Sequence, residues 1–316
     1  MQKETSQNIP EVLFHFAEAL GVKIKDNTVS IPKAFGAGYC SAYKFGNHIR
    51  LLMMNYELNQ GLVLKNTDGD IKSQMILFKL QHVFPDKAKL SYSLPSVLIA
   101  TRKVEADIIM PVDTHTAAVI IEIDAAYLTS LLDTATPSTI LSSLLQNKQP
   151  LLFEEAVYPS LLQIVSEILA SPVKDPFRHF FIRIKAEELV CRLLMELEKR
   201  EEKQLLPLNQ ADIQMLYKIK EKILTDLSTP PVLAELSAFS NMSVSKLKIL
   251  FKQVFGKSIY SYYQQFRMKE AARLLSEEKL SVSQAGYHLG FSNLSHFSRV
   301  FEHHIGLKPK KYAMSQ

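Results

Sequence analysis

Few residues in this chain have the type and spacing that catalysis or metal binding requires. The histidines of the first two thirds are scattered singly: His15, His48, His82, His115 and His179. An isolated histidine is more often a satisfied core or surface residue than a metal ligand. His303 and His304 are adjacent, and on a helix their side chains would point about 100° apart, which suits chelation poorly. The sequence therefore predicts no metal site.

The cysteines point the same way. Cys40 and Cys191 are 151 positions apart, so we expect neither a disulfide framework nor a zinc knuckle. Cys191 lies in an apolar helical pattern, where we expect an inert thiol. The sequence also lacks a glycine-rich phosphate loop, a G-x-S-x-G elbow and an H-E-x-x-H motif. We therefore predict no catalytic residue and no cofactor.

The chemistry that does stand out is electrostatic. The 316 residues include 37 Lys and Arg against 32 Asp and Glu, a formal charge of +5. Residues 208–316 hold 15 of these basic and 8 of these acidic residues, a charge of +7, which leaves −2 for residues 1–207. Such asymmetry indicates a nucleic acid or another acidic surface as partner of the C-terminal third, or else a solvated basic face.

The C-terminal third also repeats itself. The stretch from Asn241 aligns with the stretch from Gly290, and each reads as a short helix, a tight turn and a longer helix. The matched pairs are Leu247 with Phe297, Phe251 with Phe301, Gly256 with Gly306, and Tyr262 with Tyr312. This is the helix-turn-helix layout, in which the second helix enters a DNA major groove.

Capping residues position the first recognition helix and the helix that follows it. Ser243 begins and Gly256 ends the recognition helix, at residues 243–255. Ser258 begins a helix of about 18 residues, which spans roughly 27 Å at about 1.5 Å per residue. With its turns, this helix can separate two recognition helices by about one DNA turn, roughly 34 Å.

The second motif has equally clear caps. Ser281 with Gln284 forms a capping box for its first helix. Either Ser292 or Asn293 caps the second recognition helix, at residues 293–305. A last short turn is predicted after Pro309.

An apolar stripe on each recognition helix is expected to face the core, which leaves the opposite stripe for DNA. The candidates for reading base edges are Ser245, Lys248, Ile249, Leu294, Ser295, Ser298 and Arg299. Leu294 also belongs to the apolar stripe. Arg299 can read guanine, and the serines can bond either type of base. The candidates for phosphate contacts, which position the protein without reading sequence, are Lys246, Lys252, Lys257, Lys308, Lys310 and Lys311.

The segment from about 210 to 314 resembles the DNA-binding domain of the AraC/XylS family of bacterial transcription regulators. The most specific part is GFSNLSHFSRVF followed by GLKPKKY, in residues 290–312. An earlier stretch matches through Arg267 and the pair Leu274-Leu275. The family usually has Arg where this chain has Ile249, and a basic residue where it has Glu302. The first recognition helix therefore either reads bases or mainly holds phosphates.

The first 207 residues read differently. Short apolar runs between turns indicate a β-rich segment from about 28 to 124, as in a barrel or sandwich. The runs are 49–54, 61–64, 71–80, 90–94, 97–99 and 117–123, with a hairpin signal at Asp68-Gly69. The pattern is helical from 138 to 203, with one wide apolar face running from Phe177 to Leu197. These helices are expected to pack on the β domain, and one face is a candidate dimer seam.

The resemblance implies more about this front end. Many relatives have an N-terminal cupin-like β-barrel with trailing helices that binds an effector and dimerises. The predicted fold class is therefore multidomain α+β: a cupin-like barrel with trailing helices, then an all-α domain with two helix-turn-helix motifs. Residues 1–207 would sense an effector and dimerise, and residues 208–316 would bind DNA. A metal-binding cupin would show an H-x-H pair with a downstream carboxylate, which this sequence lacks.

The predicted function is a sequence-specific DNA-binding transcription regulator, by family tendency an activator. Its expected partners are double-stranded promoter DNA, RNA polymerase, a small-molecule effector and a second copy of the chain. No run approaches about 18 apolar residues and the N-terminus lacks a signal-peptide core, so we expect a cytoplasmic protein. One alternative is a cupin-type or DNA-repair enzyme with an attached DNA-binding domain. Another is an architectural DNA-binding protein.

Overall fold

A computed structural model of the chain describes residues 8–59, 74–84, 95–101, 115–132, 137–200 and 205–315. The chain divides into two compact units, Met1–Gln210 and Ala211–Gln316. The first unit combines a sheet with helices, and the described part of the second is helical. Across the described ranges, no helix has the length and apolar character needed to cross a membrane.

In the part of the first unit that the structure describes, seven antiparallel strands form one sheet. They are β1 (Thr28–Ser30), β2 (Gly36–Phe45), β3 (Ile49–Leu58), β4 (Met75–Gln81), β5 (Ser96–Thr101), β6 (His115–Asp124) and β7 (Leu152–Ala156). Their order across the sheet is β1-β2-β3-β6-β4-β5-β7. β2 and β3 pair along their whole length, from Gly36 opposite Leu58 to Phe45 opposite Ile49.

The predicted β domain is confirmed, but the predicted barrel is not. Within the described residues β1 and β7 each pair with one neighbour only, so the sheet is open. The runs 49–54, 97–99 and 117–123 lie in β3, β5 and β6 as predicted. The Asp68-Gly69 hairpin, the runs 61–64 and 90–94, and the start of 71–80 lie outside the described residues.

One strand contradicts the sequence prediction. The segment 138–203 is predicted to be helical throughout, which is wrong at β7. This strand pairs with β5, with Ser96 opposite Ala156, and it buries Phe153 completely. The pairing joins residues far apart in sequence, so helical periodicity in the neighbouring segments could not reveal it. Strand β2 and helix α1 (Glu11–Leu20) are also absent from the prediction.

Both faces of the sheet are buried. Along β3, Leu51 and Met53 belong to one core while Leu52 and Met54 belong to the other, as the two-residue period of a strand requires. Helix α1 covers the second core. The first core is completed by α2 (Ala125–Leu131), α3 (Thr139–Gln146), α4 (Pro159–Ala170) and α5 (Asp175–Glu198).

Helix α5 is apolar on two opposite sides, and the single wide apolar face predicted for it is wrong. Its inner side is buried in the first core through Ile182, Ala186, Leu189, Val190, Leu193, Leu194 and Leu197. A second set is exposed, and we call it the outer stripe: Phe177, Phe180, Ile184, Cys191 and Met195. Intervals of three, four and seven residues keep these side chains along one side of a helix.

Within the described residues, seven helices make up the second unit. They are α6 (Gln210–Thr225), α7 (Leu233–Ser240), α8 (Val244–Phe255), α9 (Ile259–Ser276), α10 (Val282–His288), α11 (Leu294–Ile305) and α12 (Pro309–Ser315). The predicted bounds of both recognition helices and of α9 agree with the structure to within about a residue. The short turn predicted after Pro309 is instead helix α12. Tyr312 of this helix packs edge-on against Phe301, with ring centroids 5.6 Å apart, and this contact supports the extra turn.

Candidate nucleic-acid interface

The first helix-turn-helix motif consists of α7, a turn at Asn241 and α8. Asn241 has a φ of 52°, a left-handed conformation that asparagine tolerates better than most residues. Ser243 caps α8, because its hydroxyl accepts a hydrogen bond from the Lys246 backbone N–H at 3.2 Å. The inner side of α8 is buried through Leu247, Leu250, Phe251 and Val254. These contacts fix the rotation of α8 about its axis.

The opposite side of α8 is exposed. The residues there are Ser245, Lys248, Ile249 and Lys252, and we call them the α8 stripe. Ser245, Ile249 and Lys252 are four and three positions apart, so their side chains lie one above the other. Ile249 is 40% exposed. The exposure of these residues agrees with the outward orientation predicted for them. The role of the candidates among them as base readers stays a prediction.

Lys246 is exposed, and its side chain is paired within the protein. Its Nζ lies 2.9 Å from Oδ1 of Asp212, a buried residue near the start of α6. This ion pair ties the first turn of the recognition helix to α6. A phosphate contact by Lys246 would have to compete with a carboxylate that is already in place.

The second motif consists of α10, a turn at Gly290 and α11. The capping box is present: the Ser281 hydroxyl accepts from the Gln284 N–H, and the Gln284 side chain accepts from the Ser281 N–H at 3.0 Å. Of the two caps that the sequence left open for α11, Asn293 is the one used. Its Oδ1 accepts a hydrogen bond from the His296 N–H at 3.0 Å.

The outward side of α11 carries Ser295, Ser298 and Arg299. Ser295 and Arg299 are exposed, Ser298 is half-buried, and the neighbouring Glu302 is exposed as well. Phe297 and Phe301 are fully buried on the inner side. Arg299 is therefore exposed on the side of α11 opposite its buried phenylalanines, and its role as a guanine reader stays a prediction.

Leu294 lies between the two sides of α11. It is half-buried, and a Cβ placed on Gly286 of α10 would lie 2.8 Å from Leu294 Cδ2 and 3.2 Å from Phe297 Cδ1. The absence of a side chain at Gly286 thus leaves the space into which Leu294 folds. Its remaining exposed surface can only make apolar contact with a base.

Arg267 of α9 holds the turn of the second motif, a role that sequence reasoning missed. It is 4% exposed, and its guanidinium carbon lies 3.7 Å from the centre of the Phe291 ring. Its Nε donates to the Leu289 carbonyl at 3.0 Å. Burial lowers the pKa of this arginine. The sequence marks Arg267 only as a residue that matches the family motif. The fold shows that it contacts the turn of the second motif.

The remaining lysine candidates surround the recognition helices. Lys257 follows the α8 C-cap, and its Nζ donates to Gln265 Oε1 at 2.9 Å. Lys308, Lys310 and Lys311 are exposed around the start of α12. Their role as phosphate contacts stays a prediction.

The described residues bear on the prediction about metal binding and on the cysteines. Within those residues, no group of three or more His, Cys, Asp or Glu side chains could hold a metal ion. Cys40 is buried, and burial raises the pKa of its thiol to about 12. Cys191 is exposed on the outer stripe, so it does not have the buried apolar surroundings that the sequence suggested.

Comparisons with known proteins find similarities to the helical unit. The family model described as "Helix-turn-helix domain" matches residues 236–315. The HTH-type transcriptional regulator GbdR of Pseudomonas aeruginosa is 28% identical over 114 residues, which cover 36% of this chain and 30% of GbdR. The arabinose operon regulatory protein of Escherichia coli is 34% identical over 71 residues, which cover 22% of this chain and 24% of that protein.

A solved structure is also similar to part of this chain. The transcriptional regulator from Chromobacterium violaceum, described as containing an AraC-type DNA-binding domain, is 25% identical, covers 34% of this chain and 95% of its own, and has a TM-score of 0.31. The chain spans less than a third of the length of the two curated relatives above. Residues 236–315 thus match a helix-turn-helix domain, and the similar curated proteins are named as transcriptional or operon regulators.

Proposed function

We propose that the protein is a sequence-specific DNA-binding transcription regulator. The observation that carries the proposal is the pair of capped helix-turn-helix motifs, each with a buried inner side and an exposed outer side on its second helix. Helix α9 lies between them and has 18 residues, which span about 27 Å; with its turns it can separate two recognition helices by about one DNA turn, roughly 34 Å. One chain would then read two successive major grooves on one side of the DNA.

The roles of the two recognition helices differ under this proposal. Arg299 on α11 offers a planar, two-pronged donor that matches the edge of a guanine. The α8 stripe offers two lysines, a serine and an isoleucine, so its polar contacts favour phosphates. Under this proposal Lys246 stays paired to Asp212 and the other five lysine candidates contact the backbone. At about 0.9 per phosphate, the logarithm of affinity should fall with a slope of about 4 to 5 against the logarithm of salt concentration.

Binding-site selection from random DNA tests this proposal. The full chain should enrich a defined sequence. Arg299→Ala should relax the preference at one base pair, at a cost of about 1–3 kcal/mol. Arg299→Lys is the matched control, since it retains the charge and loses the planar fork, so it should bind with similar salt dependence but reduced preference. Failure of the full chain to enrich any sequence would contradict the proposal.

We further propose a homodimer formed through the outer stripe of α5. Phe177 and Phe180 are 62% and 65% exposed, which is unusual for phenylalanine, and the outer stripe continues to Met195. The stripe extends about 27 Å along the helix at about 1.5 Å per residue. Arg183 and Glu187 lie beside it and form an ion pair at 3.1 Å. In an antiparallel dimer such pairs could exchange between the two copies across a twofold axis.

Sedimentation of stripe variants tests the dimer. Phe180→Glu should convert the dimer to a monomer, because it places a charge in a buried apolar seam. Phe14→Glu is the matched control, since Phe14 is also an exposed phenylalanine (42%) but lies on α1, outside the stripe. Equal sedimentation of both variants and the unchanged protein would contradict the seam.

The role of the first unit is also a proposal. We propose that it senses a small molecule and transmits binding to the DNA-binding unit, as the resemblance implies, and that it is related to the cupin-like barrels of such regulators. Activation through contact with RNA polymerase and residence in the bacterial cytoplasm belong to the same proposal, since a regulator must reach chromosome and polymerase. A library of small molecules should contain one that raises the melting temperature and changes DNA affinity.

The two alternative functions predict other results. An architectural protein would bind DNA without an effector response. A repair enzyme would transfer an alkyl group from DNA to a cysteine, and the exposed Cys191 would be the acceptor to test. Mass spectrometry after incubation with alkylated DNA separates this outcome from regulation, because a regulator leaves both cysteines unmodified.

A further inference from the structure

An isoleucine occupies the centre of the α8 stripe. Ile249 is 40% exposed, while Leu247 and Leu250 beside it in sequence are fully buried. Its exposed surface contributes nothing to the core, and burying one aliphatic side chain would be favourable. A single exposed aliphatic residue on an arbitrary surface means little. Here it lies one helical turn after Ser245 and one turn before Lys252, on the side of the helix that a helix-turn-helix motif presents to base edges.

The major groove offers one apolar group that such a side chain could recognise. Each base pair displays donors and acceptors there, and only thymine displays a C5-methyl group. Isoleucine can neither donate nor accept a hydrogen bond. Facing a cytosine amino group or a guanine oxygen, it would remove water from a polar atom without replacing the bond. Facing a thymine methyl, it would bury apolar surface on both sides.

We infer that Ile249 reads the C5-methyl group of a thymine in the groove entered by α8, with Lys248 and Lys252 as the charged residues on either side of it. The inference rests on the proposed DNA-binding function and extends it to the chemistry of one contact. Sequence preference of the first motif would come from a methyl group, while the second motif would read polar edges through Arg299.

The expected effect is small and specific. Removing one methyl group from a buried apolar contact should weaken binding about fourfold, corresponding to about 0.8 kcal/mol. Loss of an entire hydrogen-bonded contact with a base would weaken binding more than this. We call the base pairs in the groove entered by α8 the α8 half-site. A fourfold loss of affinity at one position of the α8 half-site therefore distinguishes a methyl contact from a polar contact.

Substitution of uracil for thymine tests the inference on the full chain. Uracil retains the base pairing and both groove acceptors of thymine and lacks only the methyl group. In the sequence enriched by selection, each thymine is replaced in turn by deoxyuridine. For the unchanged protein, one replacement in the α8 half-site should weaken binding about fourfold. For Ile249→Ala the same replacement should have no effect, since the side chain that contacts the methyl is gone.

Two further variants sharpen the result. Ile249→Val should retain part of the uracil effect, and Arg299→Lys should retain all of it, because Arg299 belongs to the other recognition helix. Since Ile249 is exposed, all Ile249 variants should melt at the temperature of the unchanged protein. An unchanged uracil effect in Ile249→Ala, or no sensitive thymine in the α8 half-site, would overturn the inference and leave DNA binding intact. Enrichment of no sequence at all would overturn the proposed function and the inference with it.

Discussion

Gly290 lies in the turn between α10 and α11, and replacing it by alanine gives the sharpest test of how that turn is held. Its φ is +73°, which L-residues with a Cβ rarely adopt. A Cβ on Gly290 would lie 2.2 Å from the Ser228 carbonyl oxygen and 3.0 Å from the carbonyl carbon. Because these are backbone atoms, no side-chain rotation can relieve the contact. Either the turn or the segment around Ser228 must move.

The cost has two parts. Holding alanine in the left-handed region costs about 1–2 kcal/mol. Displacing packed backbone costs typically about 1–3 kcal/mol more. Gly306, at the end of α11, is the matched control, since its φ is +84° and a Cβ there would meet nothing within 4 Å. We therefore expect Gly290→Ala to lower the free energy of unfolding by about 2–5 kcal/mol, against about 1–2 kcal/mol for Gly306→Ala.

Hydrogen exchange measured on the full chain is the appropriate assay, because a protein of two compact units need not unfold in one step. Amides of α11 should exchange faster in Gly290→Ala than in Gly306→Ala, while amides of β3 and β6 should be unchanged in both. Equal acceleration in the two variants would refute the argument from the Ser228 contact, since both share the strained φ and only one has the clash.

Three further predictions follow from single contacts. Arg267→Met should destabilise α10 and α11 by about 2–4 kcal/mol, since it removes a buried cation–π contact and charged hydrogen bonds, and Arg267→Lys should recover only part of this in a thermal melt. Asp212→Asn should release Lys246 to a phosphate, so DNA affinity should rise and the salt slope should steepen by about 0.9; an unchanged slope would show that Lys246 does not reach DNA. A thiol reagent at neutral pH should modify Cys191 in the Phe180→Glu variant, whose proposed dimer seam is open, and spare Cys40, whose pKa is raised to about 12 by burial, until the chain unfolds.

The second unit was predictable because its signals are local. Ser243, Ser258 and Asn293 cap helices through hydrogen bonds to residues three positions away, so a short stretch of sequence contains the whole interaction. Helix α12 was missed because its support comes from Tyr312 packing on Phe301, not from a local cap. The same limit applies to Arg267, whose contacts with the turn, Leu289 and Phe291, lie more than twenty residues further along the chain.

The first unit was harder for a related reason. Both faces of β3 are buried, so its sequence lacks the clean alternation of a half-exposed strand. β7 exists because it adds to β5, more than fifty residues away in sequence. On α5, periodicity identified the apolar residues correctly, yet it could not tell the side that meets the sheet from the outer stripe.

The packing of Leu294 over Gly286 has a consequence for decoding this protein from its sequence. In a recognition helix, each outward residue is usually assigned its own contact with a base, independent of the rest of the protein. Here the position of Leu294, the half-buried first residue of α11, depends on the residue that α10 places behind it. Two proteins with identical α11 sequences but different residues at position 286 would present different surfaces to the same groove. The residues that determine base contacts therefore belong to both α10 and α11. An operator sequence inferred from α11 alone would leave out the contribution of position 286.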